Sequence, residues 1–227
     1  MPRTVWLFDL DNTLHNASHA AFGQLHESMG AYIQDTLKVD AAEADRLRSL
    51  YWRRYGATLL GLVRHHGIQA PHFLERTHAL PGLEERLHGH PHDFKALQRL
   101  SGEKYILTNA PRAYAERVLK ALGIAHCFDG VIPIERMRMF GHWRPKPDAR
   151  MFRQLLARLR VPASRCVLVE DTLVHQKSAL AVGLRTVWMQ RWLKGLKATE
   201  VGVRLRRKPS YVCARISSLQ QLPQRLR

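Results

Sequence analysis

The chain has 227 residues, 45% hydrophobic and 24% charged, which suits one large domain or a core carrying a smaller insertion around a packed interior. No run approaches the roughly 20 apolar residues of a membrane span, and the short apolar N-terminal stretch is broken by Asp9 and Asp11, unlike a secretory signal. A net charge of +17 points either to nucleic-acid binding or to a basic surface around a site for an anionic substrate.

The first element, TVWLF over 4–8, is a short apolar run and predicts a strand buried on both faces. It runs into FDLDNTL, which sets Asp9 and Asp11 two positions apart. Carboxylates at the end of a buried strand are costly unless they are paired, hydrogen-bonded or bound to a metal. From Ala17 to about Leu100 every signal is helical. Asp40 followed by Glu43 makes a capping box. AAEADRLRSLYWRRYGATLLGLVRHHG then predicts one long helix ending near Gly67, with Gly56 and Gly61 marking bends or close packing. PHFLERTHAL and DFKALQRLSG predict shorter helices.

Beyond Leu100, strands and helices alternate. KYILT predicts a strand, and PRAYAERVLKALG a helix with Pro111 in its first turn and Gly123 as its stop. VIPI is a strand, DARMFRQLLARLR a helix and CVLVE a strand. A helix through HQKSALAVG, the strand RTVWM and a last strand in YVCARI follow. Such alternation predicts an α/β fold, a Rossmann-like doubly wound parallel sheet. Residues 1–15 and 95–227 would form this core, and 16–94 an inserted helical cap. Ligands of such sheets bind outside the carboxyl ends of the strands. Asp9 and Asp11, Thr108 and Asn109, and Glu170 and Asp171 all fall there, with Lys146 on a loop between elements.

These groups suit phosphoryl transfer. Carboxylates can hold a magnesium ion, which takes oxygen ligands and keeps several waters. One carboxylate can attack phosphorus, and a second can serve as general acid and base. A lysine and a metal neutralise developing charge. The start of the helix after Asn109 also offers free amides to a phosphate. Taken singly, each feature has an ordinary structural reading: an acidic loop, a helix cap, a turn, a strand-end pair. Their order along the chain and their common place at strand ends favour the catalytic one. The histidines are densest at 65–66 and in HGHPH (88–92); no paired spacing suits zinc, and HGHPH is read as solvated loop. Cys127, Cys166 and Cys213 are read as buried reduced thiols, in keeping with a cytoplasmic protein. The densest basic cluster joins Arg191, Lys194, Lys197, Arg204, Arg206, Arg207 and Lys208 against Glu200 alone. Nucleic-acid binding through it would be non-specific and salt-sensitive.

The sequence Asp9-Leu10-Asp11-Asn12-Thr13, then Thr108-Asn109, Lys146-Pro147 and Glu170-Asp171, resembles the four motifs of the haloacid dehalogenase superfamily over nearly the whole chain. The resemblance implies that Asp9 is the nucleophile and a magnesium ligand. Asp11 would be the general acid/base and a ligand through its backbone carbonyl. Thr108 would bind phosphate, Lys146 would neutralise charge, and Asp171 would ligate the metal with Glu170 beside it. Asp11 argues against the dehalogenase branch, whose members lack that acid. FDLDNTLH, RYGATLLGLVRHHGI, LTNAPRAYAERVLKALGI with CFDG, and KPDARMF are similar to the pyrimidine 5′-nucleotidase branch, which removes phosphate from UMP and CMP. By position, Tyr55, Arg64, His65, Asn109 and Arg112 would bind the substrate. A sugar-phosphate or phosphoglycolate phosphatase is the alternative within the superfamily. A basic nucleic-acid-binding protein with a vestigial phosphatase site is the alternative outside it. Two departures stand out: His175 replaces an expected Asn or Asp, and the 191–208 stretch is unusually basic.

Overall fold

The computed structural model describes residues 4–193 and 208–222. Strand β1 (Val5–Phe8) is followed by seven helices: α1 (Ala17–Ala20), α2 (Phe22–Leu37), α3 (Ala41–Tyr55), α4 (Thr58–His66), α5 (Ala70–Thr77), α6 (Leu83–Arg86) and α7 (Pro91–Arg99). Then come β2 (Glu103–Leu107), α8 (Arg112–Ala121), β3 (Gly130–Ile132), a hairpin of β4 (Arg138–Met139) and β5 (His142–Trp143), α9 (Ala149–Leu159), β6 (Cys166–Glu170), α10 (Leu173–Ala181), β7 (Arg185–Met189) and β8 (Ala214–Ile216). None of the described helices is long and apolar enough to cross a membrane.

Six strands form one sheet in the order β3-β2-β1-β6-β7-β8, and every pair in it is parallel. The chain lays β2 and β3 on one side of β1, then crosses to lay β6, β7 and β8 on the other. The order therefore reverses at β1, which opens a crevice beyond its carboxyl end. Both faces are covered by helices, as a parallel sheet requires. Along β1 the side chains alternate: Trp6 and Phe8 enter one buried cluster with Leu97, Tyr114, Ala115 and Val118, while Val5 and Leu7 enter another with Met151, Phe152 and Leu155. Period-two alternation on a doubly covered strand yields a continuous apolar run.

A third cluster belongs to α2–α5 and includes Ile33, Leu47, Tyr51, Leu62 and Phe73. Ile134, just beyond β3, and Trp143, on β5, pack into it, so the helical insertion rests on the core there. Leu83 and Leu97 instead lie in the sheet cluster. The boundary expected at 94/95 thus falls inside α7.

Two predictions fail here. The long helix expected over 41–67 is two helices, α3 and α4. Gly56 ends α3 at φ 78°, with its N–H bonded to the Trp52 carbonyl at 2.8 Å. Only the absence of a side chain makes that left-handed turn inexpensive. The Asp40 cap is as expected, its carboxylate accepting the Glu43 N–H at 2.8 Å. Cys213, expected to be buried, is exposed, while Cys127 and Cys166 are buried as expected. Cys213 follows the alternation just ahead of β8 and points outward between buried Val212 and Ala214. In the basic cluster, Arg191 pairs with Asp93 at 2.9 Å and Lys208 donates to the Val212 carbonyl. The rest, 194–207, lies outside the described residues.

Candidate active site

The parallel register brings the site together. Phe8 is level with Ile106 on β2 and Val169 on β6, so the next residue, Asp9, stands beside Glu170, and its N–H donates to the Val169 carbonyl at 2.9 Å. The turn after Asp9 needs a left-handed residue at position 12. Asn12 adopts φ 56°, a conformation asparagine tolerates better than most residues. Its side chain donates to Ser18 Oγ and accepts the Ser18 N–H. This tight turn sends Asp9 and Asp11 to different partners.

Asp9 is 6% exposed. Its Oδ1 accepts from Lys146 Nζ at 2.6 Å and its Oδ2 from Thr13 Oγ1 at 3.0 Å. Lys146 is wholly buried and also donates to Glu170 Oε2 at 2.8 Å. Asn109 sets the backbone of Lys146: its amide donates to the Lys146 carbonyl, and its Oδ1 accepts the Lys146 N–H, both at 2.9 Å. Glu170 accepts further from the Thr172 N–H at 3.1 Å and binds His175 Nδ1 at 3.0 Å. Asp171 Oδ1 accepts from Thr172 Oγ1, and the Asp171 carbonyl accepts the Trp188 indole N–H at 2.8 Å. The Thr108 hydroxyl is buried and accepts the Ala110 N–H at 3.0 Å.

The carboxylate oxygens of Asp9, Glu170 and Asp171 lie within 4.8 Å of one another. Three acids here face one ammonium, and the imbalance appears in their proton affinities. Burial, reinforced by the Glu170 charge, pushes Asp9 up to about 7. Burial, then Glu170 and Asp9, raises Asp171 well above the usual carboxylate range. Burial opposes ionisation of Glu170 as well, but Lys146 and His175 outweigh it and hold that carboxyl low. Burial disfavours the Lys146 ammonium, and Asp9 and Glu170 more than restore it. An all-oxygen donor set with excess buried negative charge fits a hard divalent cation.

The carboxylate of Asp11 stands apart from that cluster. Its Oδ1 accepts from the Tyr114 hydroxyl at 2.7 Å and meets His15 Nε2 at 3.0 Å. His15 and Tyr114 escaped the sequence reading. His15 is two positions past the motif, and Tyr114 reaches Asp11 across 103 residues, so no local spacing connects them. Thr13 was visible as a motif letter without a partner. His175, a departure in the sequence, sits as a charge-supporting neighbour of Glu170.

The other expected substrate residues divide. Tyr55, Arg64 and His65 are grouped at the end of α3 and on α4: Tyr55 OH bonds His65 Nε2 at 2.6 Å, and the Arg64 guanidinium lies 5.9 Å from the Tyr55 ring centre. They adjoin Gly56, whose added Cβ would stand 2.9 Å from Pro147 Cδ, so the turn between α3 and α4 abuts the loop of Lys146. Arg112 is directed elsewhere. Its guanidinium pairs with Glu116 at 2.8 Å, and its N–H donates to both Glu135 oxygens at 2.9 and 3.2 Å. The Glu135 carboxylate therefore occupies the start of α8, where free amides were expected to meet a phosphate.

Residues 4–183 match the family model of haloacid dehalogenase-like hydrolases. Phosphate metabolism protein 8 of Saccharomyces cerevisiae is 29% identical over 80% of this chain and 60% of its own length, so the chain spans about three fifths of that relative. A haloacid dehalogenase-superfamily phosphatase from Thermococcus onnurineus is 21% identical, with a TM-score of 0.63 over 97% of this chain and 96% of its own. A 2-haloacid dehalogenase from Pseudomonas syringae pv. tomato is also 21% identical, with a TM-score of 0.57 over 99% and 98%. These two establish the fold alone, whereas the family model spans most of the chain: it belongs to the haloacid dehalogenase-like hydrolases.

Proposed function

We propose that the chain is a phosphomonoester hydrolase working through an aspartyl-phosphate on Asp9, with a pyrimidine nucleoside 5′-monophosphate as substrate. The observation that carries this reading is the placement of two differently held acids at one strand end. Asp9 is clamped by Lys146 and Thr13 beside two further carboxylates, while Asp11 is turned to separate donors. A dehalogenase has no use for the second acid.

In the first half-reaction an Asp9 oxygen attacks phosphorus, the bond from phosphorus to the ester oxygen breaks, and Asp11 delivers a proton to that oxygen. In the second, Asp11 takes a proton from water as the water oxygen attacks phosphorus. The bond to Asp9 breaks and inorganic phosphate leaves. Lys146 holds the nucleophile in place and offsets charge on the phosphoryl oxygens, and Thr108 lies at the adjoining strand end. Asp9, Glu170 and Asp171 would hold a magnesium ion, which supplies further positive charge to the phosphoryl group. In this proposal 16–94 acts as a cap over the core of 1–15 and 95–227. The Tyr55 ring, with Arg64 and His65, meets the leaving nucleoside there. The yeast relative, named for phosphate metabolism, agrees with the class of chemistry.

Phosphate release should be measured with UMP, CMP, AMP, GMP, sugar phosphates and phosphoglycolate, with magnesium and with a chelator, alongside halide release from 2-chloropropionate. Magnesium-dependent release, greatest from UMP and CMP, is expected, and Asp9→Asn should lower it by about 10³-fold or more. Preference for a sugar phosphate would overturn the pyrimidine assignment. Halide release without phosphate release would overturn the reaction.

A further inference from the structure

We infer that Tyr114 and His15 are positioning residues that hold the Asp11 carboxylate for proton transfer, an inference that rests on the phosphomonoesterase reading. Both donors converge on one oxygen, Oδ1, at 2.7 and 3.0 Å. A carboxylate oxygen only accepts, so the His15 ring carries its hydrogen on Nε2. Nδ1 is buried and has no hydrogen-bond partner among the described residues, so Nε2 is the ring atom that reaches the site. With Oδ1 engaged twice, Oδ2 is the oxygen left to face the ester oxygen and then water. The Asp11 side chain keeps 20% of its surface exposed, whereas the His15 side chain has none.

Both anchors are themselves fixed. His15 bridges Gly89 through its backbone, and the neighbouring Asn16 N–H donates to the His88 carbonyl at 3.2 Å. These are the two chain crossings between core and insertion, so the ring cannot drift without disturbing both. Tyr114 stands on α8 among the buried residues Ala115, Val118 and Leu119. The His78 ring packs edge-on against it at 5.8 Å, and burial pushes that imidazole down to about 4. Two rigid donors on one oxygen fix the plane of the carboxylate. An acid/base group must be placed within hydrogen-bond reach of the oxygen it serves.

A merely structural role for these contacts would affect all substrates alike. A positioning role would not affect the first half-reaction alike, because a nitrophenolate leaves without a proton whereas an alkoxide needs one. The test compares kcat/KM, which reports formation of the aspartyl-phosphate and not its hydrolysis, on p-nitrophenyl phosphate and on the best alkyl phosphomonoester of the panel, starting with UMP. Tyr114→Phe and His15→Leu should each lower kcat/KM on the alkyl ester by about tenfold or more and change kcat/KM on p-nitrophenyl phosphate by less than about twofold. His15→Gln, which retains a side-chain N–H, should recover most of the loss. The ratio of the two rates within one variant does not depend on the fraction folded. Equal losses on both substrates, or no loss on either, would overturn the inference while leaving the phosphatase reading intact. No phosphate release by the wild-type chain from either ester would overturn both.

Discussion

Lys146 is the residue on which the site's electrostatics turn. It is wholly buried, which a lysine tolerates only when paired, and it bridges Asp9 and Glu170 at 2.6 and 2.8 Å. Removing one partner of a buried ion pair costs about 3–5 kcal/mol, because the remaining charge is neither solvated nor opposed. Lys146→Met should therefore lower unfolding free energy by about 3–5 kcal/mol in chelator, read from urea denaturation, and added magnesium should return part of it. Asp9→Asn removes one of three crowded acids and leaves Lys146 on Glu170, so it should keep or gain stability in the same measurement. A Lys146→Met variant as stable as wild type would show that the ammonium is not needed to balance these acids. The acids, the lysine and Thr108–Asn109 could all be found in the sequence, because each follows a strand or sits in a loop with a distinctive letter pattern. What holds Asp11 could not. A tyrosine on the exposed-looking start of an amphipathic helix and a histidine after the turn carry no pattern that pairs them; only the register of β1 against β2 does.

At the scale of elements, strands were legible wherever an apolar run ended in a polar pair, and helix ends wherever a cap or a glycine marked them. Gly56 was legible as a bend or a close contact but not as a helix end, since apolar periodicity continues through it into α4. Gly61 has the other meaning a helical glycine can have. A Cβ there would lie 2.0 Å from Tyr51 Cγ and 2.5 Å from Tyr51 Cβ, so α4 packs on α3 with no room for a methyl group. Those atoms sit near the Tyr51 backbone and cannot swing aside. Alanine is the better helix former by about 1 kcal/mol, yet Gly61→Ala should destabilise by about 1–3 kcal/mol through overpacking, again measured in urea. A stabilised Gly61→Ala would mean that the two helices part easily. Because the Gly56 turn abuts Pro147, that variant should also raise KM more than it lowers kcat.

For the whole molecule the dominant quantity is the net charge of +17. Most of the described arginines lie on the surface and several are paired locally, as Arg46 with Glu43 and Arg48 with Asp45; such pairs add little to stability. The excess charge acts at long range instead. If the substrate is the proposed phosphomonoester, an excess of basic surface residues around an acidic, buried centre would draw the dianion to the surface, and only the innermost charges would then discriminate its chemistry. Steering of this kind raises the association rate and is screened by salt, with a Debye length of about 10 Å at 0.1 M. The ratio kcat/KM for a phosphomonoester should fall by about tenfold between roughly 0.02 M and 0.3 M monovalent salt. The value of kcat should stay nearly constant, because Lys146 and its acids are shielded from the bulk. A neutral ester would show no such slope. If kcat/KM proved indifferent to salt, the surface charge would have no part in bringing the substrate in. The reason for so basic a chain would then have to be sought in a macromolecular polyanion, whose binding should weaken linearly in log salt with a slope set by the number of phosphates it engages.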